Sequence, residues 1–400
     1  MSRRIEMLPA RTADLLGVGA VLGKQFDLDV AARLTNQTTE MVIESLDVAR
    51  KRQLIWIGAA GDRCAFVHDR IRRVLLDRMS LEQRQQMHRA AALHLKEIGS
   101  KRLSDLTYHL DAAGDPAQAL LFALEAAEEA RSRDALEIAE QQYRIADRAS
   151  DTAPKSVQYR IVVGLASVLL LRADLDAAEQ LCERAAKLAV GRTAEARVRG
   201  MLGELAGRRG YMDLAVERTE AALATLGHPV PRAMLSIAAR AGWEMAVQFL
   251  HVRFPRLFVH RRASSPSEAE LLGFRLHSRL AHGYRFARGR NAILWAHLHA
   301  LNLAERYPVT EELAQAYAEH APVMTLTRGS LRGMVCARKS LEIRKSFQDG
   351  RGQAQSLSQC GHALYAASRY EECASHCREA LRLLERPGQK LQVHEARLQL

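Results

Sequence analysis

The sequence is poor in aromatic residues and in proline, and it contains no long uninterrupted apolar run. Aromatic residues make up only 5% of the chain, and there are 10 prolines in 400 residues. Large sheets are usually rich in aromatic and β-branched side chains, whereas alanine and leucine, which dominate here, favour helices. A membrane-spanning helix needs roughly 18 or more consecutive apolar residues, which the sequence does not supply. These scarcities favour a mainly α protein without a transmembrane segment.

Lysine and arginine outnumber aspartate and glutamate, so the formal net charge is +12. A basic balance indicates nucleic acid or an anionic membrane only where the charge is clustered. Here arginine is spread over nearly every helix, usually with an acidic residue about one helical turn away, as in the run of Glu179, Glu183, Arg184 and Lys187. We interpret most of the charge as solvated helix faces, with an acidic partner protein as the alternative.

Cysteine is also scarce, with six residues scattered along the chain, and residues 1–10 have no apolar core of signal-peptide length. Scattered cysteines of this kind are typical of a reducing compartment. We therefore expect a cytoplasmic location.

The N-terminal segment 1–80 has the pattern of a winged helix. Apolar residues at helical spacing fill residues 8–22, Asp27 can cap a second helix, and a third starts at Thr38 or Thr39. Two short β-rich runs, 54–57 and 64–67, follow, joined by a turn with Gly61-Asp62. Asp69 then has the position of an N-cap, and Ser80 with Gln83 that of a capping box.

DNA binding is the alternative function of such a module. A recognition helix needs neutral or cationic groups in its first turns, where it meets base edges and phosphates. The third helix instead presents Glu40, Glu44 and Asp47, and its basic residues come only at its end. We therefore favour a structural role over DNA recognition.

Two sets of residues in the N-terminal region resemble a known family. The first is Leu8-Pro9, Gly23-Lys24-Gln25-Phe26, Leu54-Ile55 and Phe66-Val67-His68-Asp69-Arg70-Ile71-Arg72; the second is His88 and Tyr108-His109-Leu110-Asp111-Ala112-Ala113-Gly114-Asp115. They resemble the region just downstream of the ATPase core in STAND-type (AAA-like) signalling ATPases, and the likeness covers residues 5–150. The resemblance implies tetratricopeptide-like repeats after this segment and an association with an ATPase core, a kinase or a cyclase. The nucleotide-binding core itself is not in this sequence.

From residue 117 onward the sequence repeats a tight turn followed by an alanine-rich helix. The turns are Arg172-Ala173-Asp174, Arg209-Gly210-Tyr211, Arg288-Gly289-Arg290, Arg328-Gly329-Ser330 and Ser368-Arg369-Tyr370. Equivalent positions after three of these turns, Leu294, Met334 and Ala374, are evenly spaced, and the interval from Ala178 to Ala215 is only slightly shorter. A repeat of roughly 40 residues predicts an α-solenoid of tetratricopeptide-like helical hairpins.

The repeat pattern is interrupted between two stretches of repeats. We predict a winged-helix-like module in 1–80, connecting helices in 81–115, repeats in 116–227, an irregular basic amphipathic insertion in 228–265, and repeats in 266–400. The insertion is interpreted as a longer helix pair packed on the repeats, with a membrane-surface or acidic-partner site as the alternative. The last helix, from Gln389, looks like the start of a further repeat, so we expect a truncated array or fragment.

Residues 17–25 are the nearest approach to a phosphate-binding loop. The P-loop spacing requires a glycine where Val18 stands and a hydroxyl residue in place of Gln25 after Lys24. Both requirements fail, and we interpret the segment as a helix end.

Histidine and cysteine supply the remaining chemical candidates. His68 beside Asp69 is interpreted as a strand-to-helix junction, because adjacent residues cannot readily act as base and orienting acid. Three further sets are interpreted as core or helix-face residues, although the first could bind zinc if its helices converge. They are Cys360 and His362 with Cys373, His376 and Cys377; His297 and His299 with Trp295; and His282.

Together these patterns predict a non-catalytic regulatory scaffold that binds partner proteins through the concave surface of its repeats. No catalytic, cofactor or metal residue is assigned. The alternatives are a transcriptional regulator that uses the winged-helix-like module, and a fragment of an ATP-dependent signalling enzyme.

Overall fold

The computed structural model describes residues 2–58, 63–99, 102–325 and 330–384. The chain divides into two compact units, with the boundary between Leu165 and Ala166 inside one helix. Most of the described residues are helical, which confirms the mainly α prediction. None of the described helices has the length and apolar character needed to cross a membrane.

The first unit begins with helices interleaved with three short strands. Its elements are α1 Ser2–Glu6, α2 Ala10–Leu22, β1 Gln25–Asp27, α3 Leu28–Thr35, α4 Thr39–Lys51, β2 Ile55–Ile57, β3 Arg63–Phe66, α5 Asp69–Asp77, α6 Leu81–Glu97, α7 Leu103–Ala112, α8 Pro116–Ser132, α9 Leu136–Arg148 and α10 Lys155–Leu171, the last of which crosses the unit boundary.

The three strands form one antiparallel sheet in the order β1-β3-β2. The hairpin of β2 and β3 was predicted, and the hydrogen bond from Gly58 N to Arg63 O closes its described end; Gly61-Asp62 lies outside the described residues. Strand β1 was not predicted. Its register opposes Phe26 to Cys64 and places the Phe26 ring 5.4 Å from that of Phe66. The sheet therefore contributes aromatic side chains to the core under α2.

The predicted helix caps in this region are confirmed with one exception. Asp27 accepts a hydrogen bond from Asp29 N, and Ser80 with Gln83 forms the reciprocal capping box of α6. The prediction that Asp69 caps α5 is wrong. The backbone stays extended through His68, which takes the N-cap position, so Asp69 is the first helical residue and accepts from Arg73 Nε at 2.9 Å.

The second unit is built from helical hairpins interrupted by one different helix. Its elements are α11 Leu175–Leu188, α12 Arg192–Arg208, α13 Met212–Leu226, α14 Met234–Arg253, α15 Pro255–Phe258, α16 Glu268–Ala287, α17 Arg290–Ala304, α18 Glu311–Thr325, α19 Ser330–Ser346, α20 Gly350–Ala366 and α21 Tyr370–Leu384. Helix α12 packs against α13, α16 against α17, α18 against α19 and α20 against α21.

The hairpin turns share a residue with positive φ. It is the second residue after the first helix in the predicted turns, at Ala173 (φ 63°), Gly210 (φ 88°), Gly289 (φ 79°) and Ser368 (φ 59°). A left-handed residue at this position satisfies the last carbonyls of a helix and reverses the chain. The Arg328-Gly329 turn lies outside the described residues, as does Gln389.

Small residues allow close helix contacts in the hairpins. A Cβ on Gly333 of α19 would lie 2.9 Å from the backbone oxygen of Ala321 on α18, and one on Gly203 would lie 2.8 Å from Thr219 Oγ1. Leu294 and Met334, predicted to be equivalent, are both buried at the fifth position of α17 and α19; Ala374, at the fifth position of α21, is half-buried. The repeat found in the sequence therefore corresponds to a repeated structural unit.

Candidate functional site

A cavity of about 480 Å³ lies between α16, α17, α18 and α20 in the second unit. It is lined by three stripes from first helices of successive hairpins and by two residues of α17. The lining residues are Ser278, Ala281, His282 and Arg285; Glu319, Pro322 and Val323; Gln355, Gln359 and His362; and Ile293 and His297.

Helical periodicity positions these stripes. Within α16 and α20 the lining residues recur at intervals of three or four, so that each helix presents one face to the cavity. Helix α18 packs beside both α16 and α20. The inner faces of three consecutive hairpins therefore form one continuous lining.

Glu319 is the carboxylate of this lining. Both of its oxygens lie 2.7 Å from Ser278 Oγ, and Gln315 Nε2 donates to Oε1 at 2.6 Å. Burial raises the pKa of Glu319, although hydrogen bonds from Ser278 and Gln315 and the nearby charge of Arg285 act in the opposite direction. The carboxylate is thus engaged by neutral donors of the cavity wall.

Three imidazoles contribute polar atoms to the cavity. Burial lowers the pKa of His282 and of His362, and the positive charge of Arg285 adds to the effect in both. Burial also lowers the pKa of His297 well below its ordinary value, and this ring lies 3.0 Å (Nε2 to Nδ1) from His320. At neutral pH these rings are neutral groups that can donate and accept hydrogen bonds.

Arg285 carries the permanent positive charge of the lining. Its side chain is exposed, and among the described residues no carboxylate lies within ion-pair distance of it. Arginine donates through a planar fork that matches a carboxylate or phosphate. Together with Gln355 and Gln359, which offer amide donors and acceptors, the cavity can hold a polar chain that carries an anionic group.

The glycines of the P-loop-like segment have a packing role. Gly17 and Gly19 lie within α2, where a Cβ would collide with Met79 and with the Phe26 ring. Gly23 follows as the C-cap of α2. The interpretation of residues 17–25 as a helix end is therefore confirmed.

The cysteine–histidine set does not converge on one point. Cys360, Cys373 and Cys377 are buried together in an apolar cluster, whereas His362 faces the cavity and the Nδ1–H of His376 donates to Glu372 O. No set of three or more potential metal ligands is brought together within the described residues. Burial raises the pKa of the Cys377 thiol to about 12, so it remains protonated.

The histidines of α17 have two different environments. His297 reaches the cavity, whereas the Nδ1–H of His299 donates to Glu244 Oε1 on α14 at 2.7 Å. Trp295 is buried and stacks near His299. The exposed face of α4, on which DNA binding would depend, presents Glu40, Glu44 and Asp47 to solvent.

The cavity residues were not predicted from the sequence. A signal was nevertheless present, because His282, Pro322 and His362 follow one another at the spacing of the hairpins themselves. Gln315 and Gln355 have the same spacing. Polar residues that recur at equivalent positions of a repeat are candidates for its binding face.

No protein-family model matches the chain, and no curated protein matches it. Among the solved structures that resemble it are two at low identity. One is a Signal Transduction ATPase with Numerous Domains (STAND) protein with a tetratricopeptide repeat sensor from Pyrococcus horikoshii, with 12% identity over 99% of this chain and 53% of that chain and a TM-score of 0.49. The other is BtubC from P. vanneervenii, with 18% identity over 67% of this chain and 90% of that chain and a TM-score of 0.39. The chain thus spans about half the length of the first structure.

Proposed function

We propose that the chain is a non-catalytic, protein-binding scaffold whose partner peptide lies in the cavity of α16, α18 and α20. The observation that supports this most directly is the alignment around one opening of three stripes from consecutive hairpins, each of which contributes at least one polar side chain. Repeated hairpins present continuous surfaces of this kind to extended peptides. Neutral glutamine and imidazole groups would hydrogen-bond the peptide main chain, and Arg285 would bind a peptide carboxylate.

The N-terminal module fits the same role. Helices α2, α3 and α4 followed by the β2–β3 hairpin have the element order of a winged helix, to which β1 adds a third strand. We interpret it as a winged-helix-like docking module of a cytoplasmic signalling ATPase system. The exposed carboxylates of α4 favour a protein surface over the phosphates of DNA.

The experiment is binding of the full chain to an array of random decapeptides, each synthesised with a free and with an amidated carboxyl terminus. We expect selected peptides to carry an acidic side chain or a free terminus. Arg285→Ala should weaken their binding at least about tenfold, the value of one charge-assisted pair, and Arg285→Lys should restore part of it.

Arg338→Ala is the matched control, because this arginine is exposed on α19 and is not a lining residue of the cavity. Equal peptide affinity of the Arg285→Ala and Arg338→Ala variants would refute the assignment of the cavity. So would an array on which no peptide binds.

A further inference from the structure

Residues 221–267 contain a single acidic residue, Glu244, and it is buried. Six arginines lie in the same stretch. Elsewhere in the chain arginines commonly have a carboxylate partner, as Arg144 has Glu140 and Arg209 has Glu179. Arg262 forms an ion pair with Glu270 at 3.0 Å, so the uncompensated positive charge of the stretch that includes α14 and α15 is that of the other five arginines.

Helix α14 turns the polar side chains of Glu244, Gln248 and His251 inward. The buried residues Ile237, Ala241, Glu244, Gln248 and His251 recur every three or four positions and form one narrow strip. Asn302 Nδ2 donates to Glu244 Oε2 at 2.7 Å, and the Nδ1–H of His251 donates to Glu305 Oε2 at 2.7 Å. These hydrogen bonds hold the helix to α17 and to the residue after it, and Ile237 and Ala241 add apolar contacts in the core cluster that includes part of α17.

The outward faces of α14 and α15 are apolar. Leu235 is 87% exposed, Trp243 69% and Phe249 63%, and the remaining large apolar residues of this surface are also exposed. These are Met234, Met245, Leu250, Val252, Phe254 and Leu257. Soluble helices normally turn such a face toward the core, so a contiguous exposed patch indicates a binding surface.

Arginines border this apolar surface. Arg232, Arg240, Arg253, Arg256 and Arg261 are all exposed, and none of them forms an ion pair with a described carboxylate. Arg253 lies over the ring of Phe254, with its guanidinium carbon 5.0 Å from the ring centroid. The surface accordingly combines aromatic and aliphatic side chains with permanent positive charge.

We propose that this surface, which comprises the exposed apolar and arginine side chains of residues 232–261, binds the face of a membrane that contains anionic phospholipids. Helices with tryptophan, phenylalanine and leucine on the lipid side and arginine at its borders lie in the membrane interface. Arginine guanidinium groups would contact lipid phosphates while the apolar side chains enter the acyl boundary. Arg240 and Glu244 fall in the middle of α14, which suits a helix that lies on a membrane and does not cross it.

The charge pattern disfavours the other occupants. A second copy of the chain would bring like-charged arginines together across a shared interface, which is costly. An acidic partner protein would match the charge, but the exposed apolar side chains cover about half of the helix circumference, and most of them do not line the neighbouring cavity that Val252 enters. A fluid lipid interface can solvate so broad a surface without shape complementarity.

The test uses tryptophan fluorescence of the full chain with vesicles. The chain has three tryptophans, of which Trp56 and Trp243 are exposed and Trp295 is buried. In a Trp56→Phe background, addition of vesicles containing roughly a third phosphatidylglycerol should shift the Trp243 emission to the blue, whereas pure phosphatidylcholine vesicles should not. Co-sedimentation with the same vesicles gives the partition coefficient, which should fall as salt is added.

Two double variants separate the contributions. Arg253→Glu/Arg256→Glu should lower partition at least about twentyfold, because each arginine near an anionic surface is worth about fivefold. Trp243→Ser/Phe249→Ser, followed by co-sedimentation, should lower it at least about tenfold. The matched charge control is Arg338→Glu/Arg378→Glu, two exposed arginines outside this segment, and the matched apolar control is Leu121→Ser on α8.

The proposal fails if the chain does not sediment with phosphatidylglycerol vesicles at low salt. It also fails if partition survives Trp243→Ser/Phe249→Ser, which would indicate attraction by charge alone, as for an acidic protein. A concentration-dependent dimer that this double variant abolishes would assign the surface to a second copy of the chain and overturn the membrane assignment. Far-UV circular dichroism of each variant checks that the helices are retained.

Discussion

Glu244 on α14 accepts a hydrogen bond from the Nδ1–H of His299 on α17 at 2.7 Å, although the two residues are 55 positions apart in the chain. The second oxygen of the same carboxylate accepts from Asn302. Burial opposes the charged form, but the hydrogen bonds from His299 and Asn302 prevail and hold the pKa of Glu244 below its ordinary value. This carboxylate therefore links α14 to the repeats.

Replacing that carboxylate should release α14. Glu244→Ala leaves the Nδ1–H of His299 without its acceptor and removes one of the two hydrogen bonds that Asn302 Nδ2 donates to Glu244, so we expect a loss of about 2–4 kcal/mol in the free energy of unfolding. Glu244→Gln keeps one acceptor and should cost less. Urea unfolding followed by circular dichroism measures both, with the exposed Glu217→Ala on α13 as control. Equal stability of the Glu244→Ala and Glu217→Ala variants would contradict the linkage.

Acid should destabilise the first unit through a pair of buried histidines. His88 Nδ1 lies 2.9 Å from His109 Nδ1, and burial lowers the pKa of each imidazole to about 4. Both pKa values are below the ordinary 6.5, so the unfolded chain takes up protons first. The stability contributed by the neutral pair is complete above pH 6.5 and is lost as the pH falls toward 4, by about 2–4 kcal/mol in total.

Urea unfolding at several pH values from 7.5 to 4 checks this loss. His88→Gln/His109→Gln should flatten part of the slope, since glutamine does not titrate and can retain a hydrogen bond. Buried histidines in the second unit, such as His277 with a pKa lowered to about 3, leave a residual slope. A double variant with the full wild-type slope would show that the pair is not responsible.

Glycine at the closest contact of α18 and α19 should be intolerant of a methyl group. Gly333→Ala would place Cβ 2.9 Å from Ala321 O and 3.0 Å from Ala321 Cα, which are backbone atoms that cannot turn aside. We expect a loss of about 1–3 kcal/mol in the free energy of unfolding. In the control Gly273→Ala on α16, nothing lies within 4 Å of the new Cβ, so a gain of about 0.5–1 kcal/mol is expected. Thermal unfolding midpoints that move in the same direction would refute the packing argument.

Alanine and glycine can be exchanged in opposite directions at two of the positive-φ turn positions. Ala173 has φ 63° and bears the steric cost of a Cβ in that conformation, so Ala173→Gly should stabilise the protein by about 0.5–1 kcal/mol. Gly210 has φ 88° and open space around it, so Gly210→Ala should destabilise by about 1–2 kcal/mol through backbone strain alone. Chemical denaturation of the two variants should give shifts of opposite sign, and parallel shifts would exclude this explanation.

Local signals made much of the fold predictable. The caps at Asp27 and Ser80 act within one helical turn of their own position, and the turn at Gly210 needs only a backbone free to become left-handed. Strand β1 was missed because it is stabilised by a partner distant in the sequence. Its one buried residue, Phe26, is paired with Cys64 of β3, and two helices lie between these residues along the chain. The error at Asp69 is of the same kind, since β3, which ends at Phe66, and the extended backbone through His68 fix where α5 can begin.

The cavity and the inward-facing polar residues of α14 depend on contacts between residues that are far apart in the sequence. An apolar helix is expected to bury its apolar face, and the hydrogen bonds that His299, Asn302 and Glu305 make with Glu244 and His251 favour a different orientation. The single acidic residue of the stretch, Glu244, was the available clue. Likewise, the recurrence of His282 and His362 at the spacing of the hairpins could have identified cavity positions, but not which other helices complete the lining.

All six cysteines are buried, and burial raises the pKa of the Cys64 thiol to about 11 and that of Cys182 to about 12. Because the thiolate is the reactive form, an alkylating reagent can modify these residues only when the surrounding helices separate. The native thiols can therefore report local opening of the structure. Cys64 reports on the sheet of the first unit, Cys182 on α11, and Cys373 with Cys377 on α21. Mass spectrometry of timed alkylation would rank the opening rates of these regions without any added label.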